Sequence, residues 1–281
     1  MTQLVYKSAT GGDVSLDGKD IYVGIAASVR SRVWGYELMK NRLASVSRKA
    51  RVADIRAWMT RTEADRLRTL ADADLVYETP GTLVAQGEWC QAAYIVEQVP
   101  ETIGEGFVIA TLKVVLLEGC WWRIVTRQFV PGSGSVDATD GLDYEYDYEH
   151  DYCKPAPGAS LDTGLLVPAK PFITFYGSGS GGVVNPFIII GDNRYQVNTT
   201  LSAGDRIEVD GRAHTVTRIL AGGTRTSLFS NAVRSGSGSG YSTSYIFQPV
   251  PVGAIPLTWD DSHGIDVGWY EEVGEPPWTT S

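Results

Sequence analysis

The chain alternates short apolar runs with turn-forming clusters. The runs "DIYVGIAASV", "GFVIATLKVVLLEG", "CWWRIVTRQFV", "FITFY", "FIIIG", "RIEVDG", "HTVTRIL" and "YIFQPV" are rich in Val, Ile, Tyr, Trp and Thr, and Gly or Asn/Asp punctuates them. Runs of this length and type predict strands of a sandwich or barrel. In "ATLKVVLLEG" the side chains of Leu112, Val114 and Leu116 fall on one face, by the two-residue period of a strand. The double glycines at 181–182 and 222–223 permit the positive φ that chain reversal requires.

One segment has a helical period instead. Thr60-Arg61-Thr62-Glu63 is a capping box, in which a hydroxyl and a carboxylate three residues on satisfy the first free amides. Ala64, Leu67, Leu70 and Ala71 follow at helical spacing, with Asp65, Arg66 and Arg68 facing away. The pattern predicts a helix over 61–72 that lays one face on a sheet.

Composition then divides the chain. Residues 131–140 turn to Gly, Ser and Asp, and residues 155–171 to Pro, Gly and Ala. Between them lies "GLDYEYDYEHDY". The expected organisation is an N-terminal domain over 1–139, a linker over 140–154 and a C-terminal domain over 155–281. As an extended strand the linker places Asp143, Glu145, Asp147 and Glu149 on one face and Tyr144, Tyr146 and Tyr148 on the other. With Tyr152, these rings are expected to pack against a domain while the carboxylates stay hydrated. A calcium loop is disfavoured because no glycine supplies the sharp turn. A disordered acidic tail is disfavoured by the aromatic content, and nucleic-acid mimicry remains the sharper alternative.

Charge refines this division. The net charge is −9, and residues 140–153 carry six acids and no Lys or Arg. Residues 1–139 balance at 16 basic and 16 acidic side chains, but unevenly: 30–68 hold 11 basic and 4 acidic residues, while 69–112 hold 7 acids and no Lys or Arg. Such a pair of segments offers complementary surfaces for two copies of one chain, with Arg56, Arg61, Arg66 and Arg68 as candidate interface charges. The bland reading is that these charges pair within one subunit.

Catalytic signatures are scarce. Gly177 to Gly182 has GxGxxG spacing, but Val183-Val184-Asn185-Pro186 does not begin a helix, so a loop is expected there. His150, His214 and His263 are far apart without ligand spacing, and His214 reads as a strand surface residue. Adjacent carboxylates such as Asp260-Asp261 and Glu271-Glu272 would point to opposite strand faces. No enzyme, metal or cofactor is expected. Cys90, Cys120 and Cys153 fit reduced thiols, no signal peptide is evident, Asn198-Thr-Thr200 is a sequon without meaning inside a cell, and no apolar run is long enough for membrane insertion.

The second half resembles the phage distal tail protein (Dit) family, the hub of siphophage baseplates. The likeness rests on "LDYEYDYEHDY", "ITFYGSGSGGVVNPFIIIGDNRYQVNTTLSAGDRIEVDGRAHTV", "YIFQPVPVGAIPLTWDD", "IDVGWYEE" and "GEPPW". Asn185-Pro186, Tyr195, Gly204, Asp210, Pro251, Gly253 and Glu275 to Trp278 fall on the family motifs in order. Val250-Pro251 replaces the family's Ile-Pro, and the Gly/Ser loops at 177–182 and 235–240 are departures. The chain leaves no room for an inserted carbohydrate-binding domain.

The resemblance implies a mainly β protein, with a tail-tube-like N-terminal β-sandwich or barrel carrying one α-helix and a galectin-like C-terminal β-sandwich. It implies a homo-oligomer, a hexamer ring around a DNA channel, in a virion tail assembled in the host cytoplasm. Its partners would be the tail tube protein, the tail-tip hub or lysin protein, the tape measure protein and receptor-binding proteins, with DNA only a passenger. Phosphate-binding side chains would make such a channel sticky, so most of the basic segment should face away from it. Trp278, in "GEPPW", is a possible interface anchor, since an indole desolvates much area with few rotors. The competing reading is a carbohydrate-binding or adhesin module with Trp259, Trp269 and Trp278 as stacking platforms; a glycosidase is the third.

Overall fold

A computed structural model describes residues 4–130, 158–179, 181–234, 244–260 and 262–277. The expected division at 140–154, the linker residues Tyr144, Tyr146, Tyr148 and Tyr152, and Trp278 lie outside them. The fold is mainly β. Its residues form two units: one runs to Arg123 and resumes at Glu272, and the other spans Ile124–Glu271.

The first unit contains β1 (Leu4–Lys7), β2 (Asp13–Ser15), β3 (Ile21–Tyr22), α1 (Ala27–Arg30), β4 (Gly35–Met39), β5 (Arg42–Ser47), β6 (Arg51–Thr60), α2 (Arg61–Val76), β7 (Gly81–Ala85), β8 (Trp89–Ile103), β9 (Phe107–Leu116) and the start of β10 (Trp121–Phe129). β8 organises it. Its first half pairs with β7, which continues to β1 and β2; its later residues pair with β9, which continues to β6 and β3. Two register shifts in β8, between Ile95 and Glu97 and between Pro100 and Thr102, mark bulges that turn the strand. The core joins Tyr6, Leu16, Met59, Leu67, Leu83, Trp89, Leu112 and Trp121.

α2 begins as its capping box predicts, with the Thr60 side chain accepting from the Glu63 amide at 3.4 Å. Ala64, Leu67 and Ala71 are buried, and Leu70 packs at the margin. The helix runs one turn past the expected end, to Val76. Asp74 explains the extension. It is fully buried and accepts from Tyr6 Oη at 2.6 Å, Ser8 Oγ at 2.7 Å and the Ala9 amide at 3.0 Å. A helix-unfavourable acid is thus retained because its carboxylate ties the helix to β1. Burial, then the bond to Asp74, raise the Tyr6 phenol above its ordinary pKa. Gly81 lies against this pair; a Cβ there would fall 2.6 Å from Tyr6 Oη and 2.8 Å from Asp74 Oδ2.

The second unit contains the rest of β10, β11 (Gly158–Asp162), β12 (Pro171–Tyr176), β13 (Val183–Val184), β14 (Phe187–Ile190), β15 (Asn193–Gln196), β16 (Thr200–Leu201), β17 (Arg206–Asp210), β18 (Thr215–Ile219), β19 (Arg225–Ser227), β20 (Ala254–Thr258) and most of β21 (Ile265–Val273). One sheet has the order β19-β18-β17-β12-β21 and the other β11-β20-β14-β15. Ile173, Phe175, Ile207, Val209 and Val267 from the first meet Leu161, Ile188, Ile190, Tyr195 and Leu257 from the second in one core, which makes the unit a β-sandwich.

Several sequence expectations are corrected. "DIYVGIAASV" holds only the two-residue β3, because Ala26 turns left-handed and α1 follows. Arg51 ends that helix by donating to the carbonyls of Ser28, Val29 and Ser31. "YIFQPV" is a turn with one isolated bridge, Val250 to Ala169. His214 sits in the β17–β18 turn with φ 53°, not on a strand. The GxGxxG segment leads into β13, as a loop would, and Gly223 takes positive φ in the β18–β19 turn.

Candidate functional site

The hairpin β4–β5 forms a two-stranded sheet of its own, with Tyr36 opposite Val46 and a two-residue turn at Lys40-Asn41. Tyr36, Leu38, Met39, Leu43 and Val46 are all more than half exposed, Leu38 at 72 %. An isolated hairpin is marginal in water because it has no second layer to bury its apolar side chains. Here the base is anchored. Arg48 lies 4.7 Å over the Trp34 ring, Arg32 lies 5.8 Å from it, and Arg48 Nη1 pairs with Glu272 Oε2 at 3.1 Å. Beside the anchor, Arg32, Trp34, Tyr36, Leu43 and Val46 line an open cleft of about 420 Å³. A rigid base and a free apolar arm are the arrangement of a surface built to be covered.

The four arginines singled out by sequence do not share one surface. Arg56 projects from the face of β6 opposite Ala57 and Met59, which pack in the core with α2. Its Nε pairs with Glu101 Oε2 at 2.8 Å. The Thr111 hydroxyl first, and Arg56 after it, hold the Glu101 carboxyl below its usual range. Arg61 donates to the Gly104 carbonyl, Arg66 to Glu63 and the Asp13 carbonyl, and Arg68 to Asp65. Each guanidinium therefore has a partner in its own chain, although Arg56 and Arg68 remain well exposed.

The residues that catalysis or sugar stacking would require are placed otherwise. Trp259 and Trp269 are core side chains, at 0 % and 2 % exposure, and neither offers a ring face to a ligand. His263 is also fully buried; Ser262 Oγ and Asp260 Oδ1 both lie 3.1 Å from its Nδ1. A nucleophile–base–orienter relay needs both ring nitrogens, so this cluster is not one. Among the described residues, no group of three or more His, Cys, Asp or Glu could hold a metal ion, and no helix is long and apolar enough to cross a membrane.

Burial lowers the His263 pKa, against an upward pull from Asp260. The unfolded imidazole titrates near its ordinary value, about 6.5. Between that value and the lower folded one, the unfolded chain holds more protons. The resulting stability is full above pH ~6.5 and is lost as pH falls through the folded pKa. Thermal melts at pH 7.5 and 5.5 are expected to differ more for the native chain than for His263→Gln; an equal difference would refute the assignment.

No protein-family model matches the sequence, and no curated protein matches it. Solved structures do match. The fold is similar to the phage SPP1 Dit protein, described as a paradigm of hub adsorption apparatus in phages infecting Gram-positive bacteria, at TM-score 0.53 and 14% identity over 97% of this chain and 99% of that one. It is also similar to a chain of the phage P2 baseplate in its activated conformation with calcium, at TM-score 0.60 and 10% identity over 95% and 97%. The strontium form of the p2 baseplate gives 0.60 and 11% over 98% and 100%. Over nearly all of its length the chain has a Dit-like fold of the kind found in phage baseplates.

Proposed function

We propose that the protein is a structural, non-enzymatic hub of a phage tail tip. Six copies close into a ring around a DNA channel. The ring joins the tail tube to the tail-tip hub and the receptor-binding apparatus, with the tape measure protein as a further partner and a galectin-like fold for the second unit. The likeness to baseplate chains along nearly the whole length supports the place in the virion tail. The observation that carries assembly is the hairpin β4–β5, whose apolar side chains have no cover among the described residues. A closed ring needs a surface that fits a different surface of the next copy, and a projecting arm meets that need.

Mass photometry and negative-stain images of the purified chain test this reading. A ring with a central hole is expected for the native protein. Leu38→Ser/Leu43→Ser should raise the concentration at which it assembles by at least about a hundredfold, since each leucine buried at an interface contributes roughly 1.5–3 kcal/mol. Its melting temperature should stay within about 3 °C of the parent, as exposed substitutions usually do. A native chain that remains monomeric at high concentration would overturn the proposal. The carbohydrate-binding reading loses two of its three stacking platforms, because Trp259 and Trp269 are buried; Trp278 lies outside the described residues.

A further inference from the structure

We infer that the tip of the β4–β5 hairpin of one copy docks on the C-terminal end of α2 in a second copy, with Lys40 and Arg42 meeting Asp72 and Glu78. This pairing rests on the ring reading and names the two surfaces that meet.

The argument starts at the end of the helix. α2 finishes at Val76 without a basic residue in its last turn, so the negative end of its dipole has no cation of its own. Leu75, Val76 and Tyr77 are exposed there in succession, Val76 at 78 % and Tyr77 at 70 %. Asp72 and Glu78 flank them, and no ion pair among the described residues reaches either. Glu78 is held at φ 51°, a left-handed conformation that is uncommon for a side chain other than Asn, Asp or Gly. The surface is therefore apolar at its centre, acidic at its rim and electrostatically unfinished.

The hairpin tip is its complement. Leu38, Met39 and Leu43 are exposed around the turn, and Lys40 and Arg42 carry its only positive charges. Lys40 makes no ion pair among the described residues, and the single described contact of the Arg42 guanidinium is a long one, 3.9 Å to Met39 Sδ. By contrast, the exposed cross-strand neighbours Tyr22 and Trp58 lie on the face of β6 whose Arg56 is already paired with Glu101. Among the described residues Arg56–Glu101 is the ion pair that joins the basic 30–68 segment to the acidic 69–112 segment, which leaves Lys40 and Arg42 on one side and Asp72 and Glu78 on the other without such a partner. Donor and acceptor surfaces are different, so repetition of the contact propagates head to tail, as a ring requires.

Charge reversal tests the pairing. Lys40→Glu/Arg42→Glu and, separately, Asp72→Lys/Glu78→Lys should each raise the concentration for half-assembly by at least about tenfold, through like-charge contact. Combining all four should return it to within about threefold of the native value, since the two pairs are then coupled rather than additive. Circular dichroism melts check that each chain folds. Lys40→Gln/Arg42→Gln, which only removes charge, replaces a reversed chain that misfolds, with a shift of about threefold expected. A native ring that tolerates both reversals, or reversals that combination does not rescue, overturns the pairing and leaves the ring reading standing. A native chain that never assembles overturns both.

Discussion

Asp74→Ala is expected to be the most damaging single polar substitution in the first unit, at about 3–5 kcal/mol, because it strands several buried donors at about 1–3 kcal/mol each. The carboxylate accepts three hydrogen bonds, from Tyr6, Ser8 and the Ala9 amide. Its loss leaves the fully buried Tyr6 hydroxyl, and Ser8 at 9 % exposure, facing a hole that cannot accept from them. The melting temperature of the first unit should fall by roughly 10 °C or more. Tyr6→Phe, which removes one donor and keeps the ring, should cost only about 1–2 kcal/mol. The carboxylate is then also relieved of one bond, not left alone. Equal and small effects for both variants, under about 1 kcal/mol, would show that the network does not hold α2 to β1.

The same residue shows where reading a sequence stops. The start of α2 was legible because a capping box is a local signal, and its inner face because Ala64, Leu67 and Ala71 repeat at helical spacing. Its last turn was not, because Asp74 has its reason at Tyr6 in β1 and at Ser8 just after it, 66 residues away. β9, β12, β14, β17 and β18 were legible from alternation and flanking glycines. "YIFQPV" has the composition of a strand, but its apolar side chains are buried through a turn, and composition does not distinguish the two.

The hairpin went unread for a related reason. Leu38, Leu43 and Val46 look like ordinary strand residues, and only the structure reveals that the described residues leave them more than half exposed. The charge asymmetry of residues 30–112 was visible, but not its distribution. Arg56, Arg61, Arg66 and Arg68 find partners at Glu101, Gly104, Glu63 and Asp65, while Lys40 and Arg42 form no ion pair among the described residues. Trp259 and Trp269 illustrate the opposite error: aromatic residues suited to stacking a sugar are, more simply, the largest side chains available to fill a sandwich core.

A chain ending at Glu271 is expected to destabilise the first unit, although the deleted residues lie far from it in sequence. Glu272 is the partner of Arg48, which in turn stacks on Trp34 at the root of the hairpin. Val273 packs against the core of the first unit. Gly274 lies so close to Arg32 that a Cβ would meet its side chain at 2.8 Å. The Pro277 carbonyl accepts from Arg30 at 2.9 Å and from the Gln86 amide. Arg30 is the weightiest of these, since its side chain is 99% removed from solvent by the 1 % exposure of the residue, and burial lowers its pKa in spite of Asp17 and Glu275. A buried cation that loses an acceptor costs several kcal/mol unless water reaches it. Together with the apolar contact, the deletion should remove roughly 4–6 kcal/mol, enough to melt a marginal unit near body temperature. Hydrogen exchange separates this from a general loss of fold: amides in residues 4–116 should exchange at least about a hundredfold faster, and those in 171–219 should change little. Protection that stays intact in residues 4–116 would show that the residues after Glu271 do not complete the first unit.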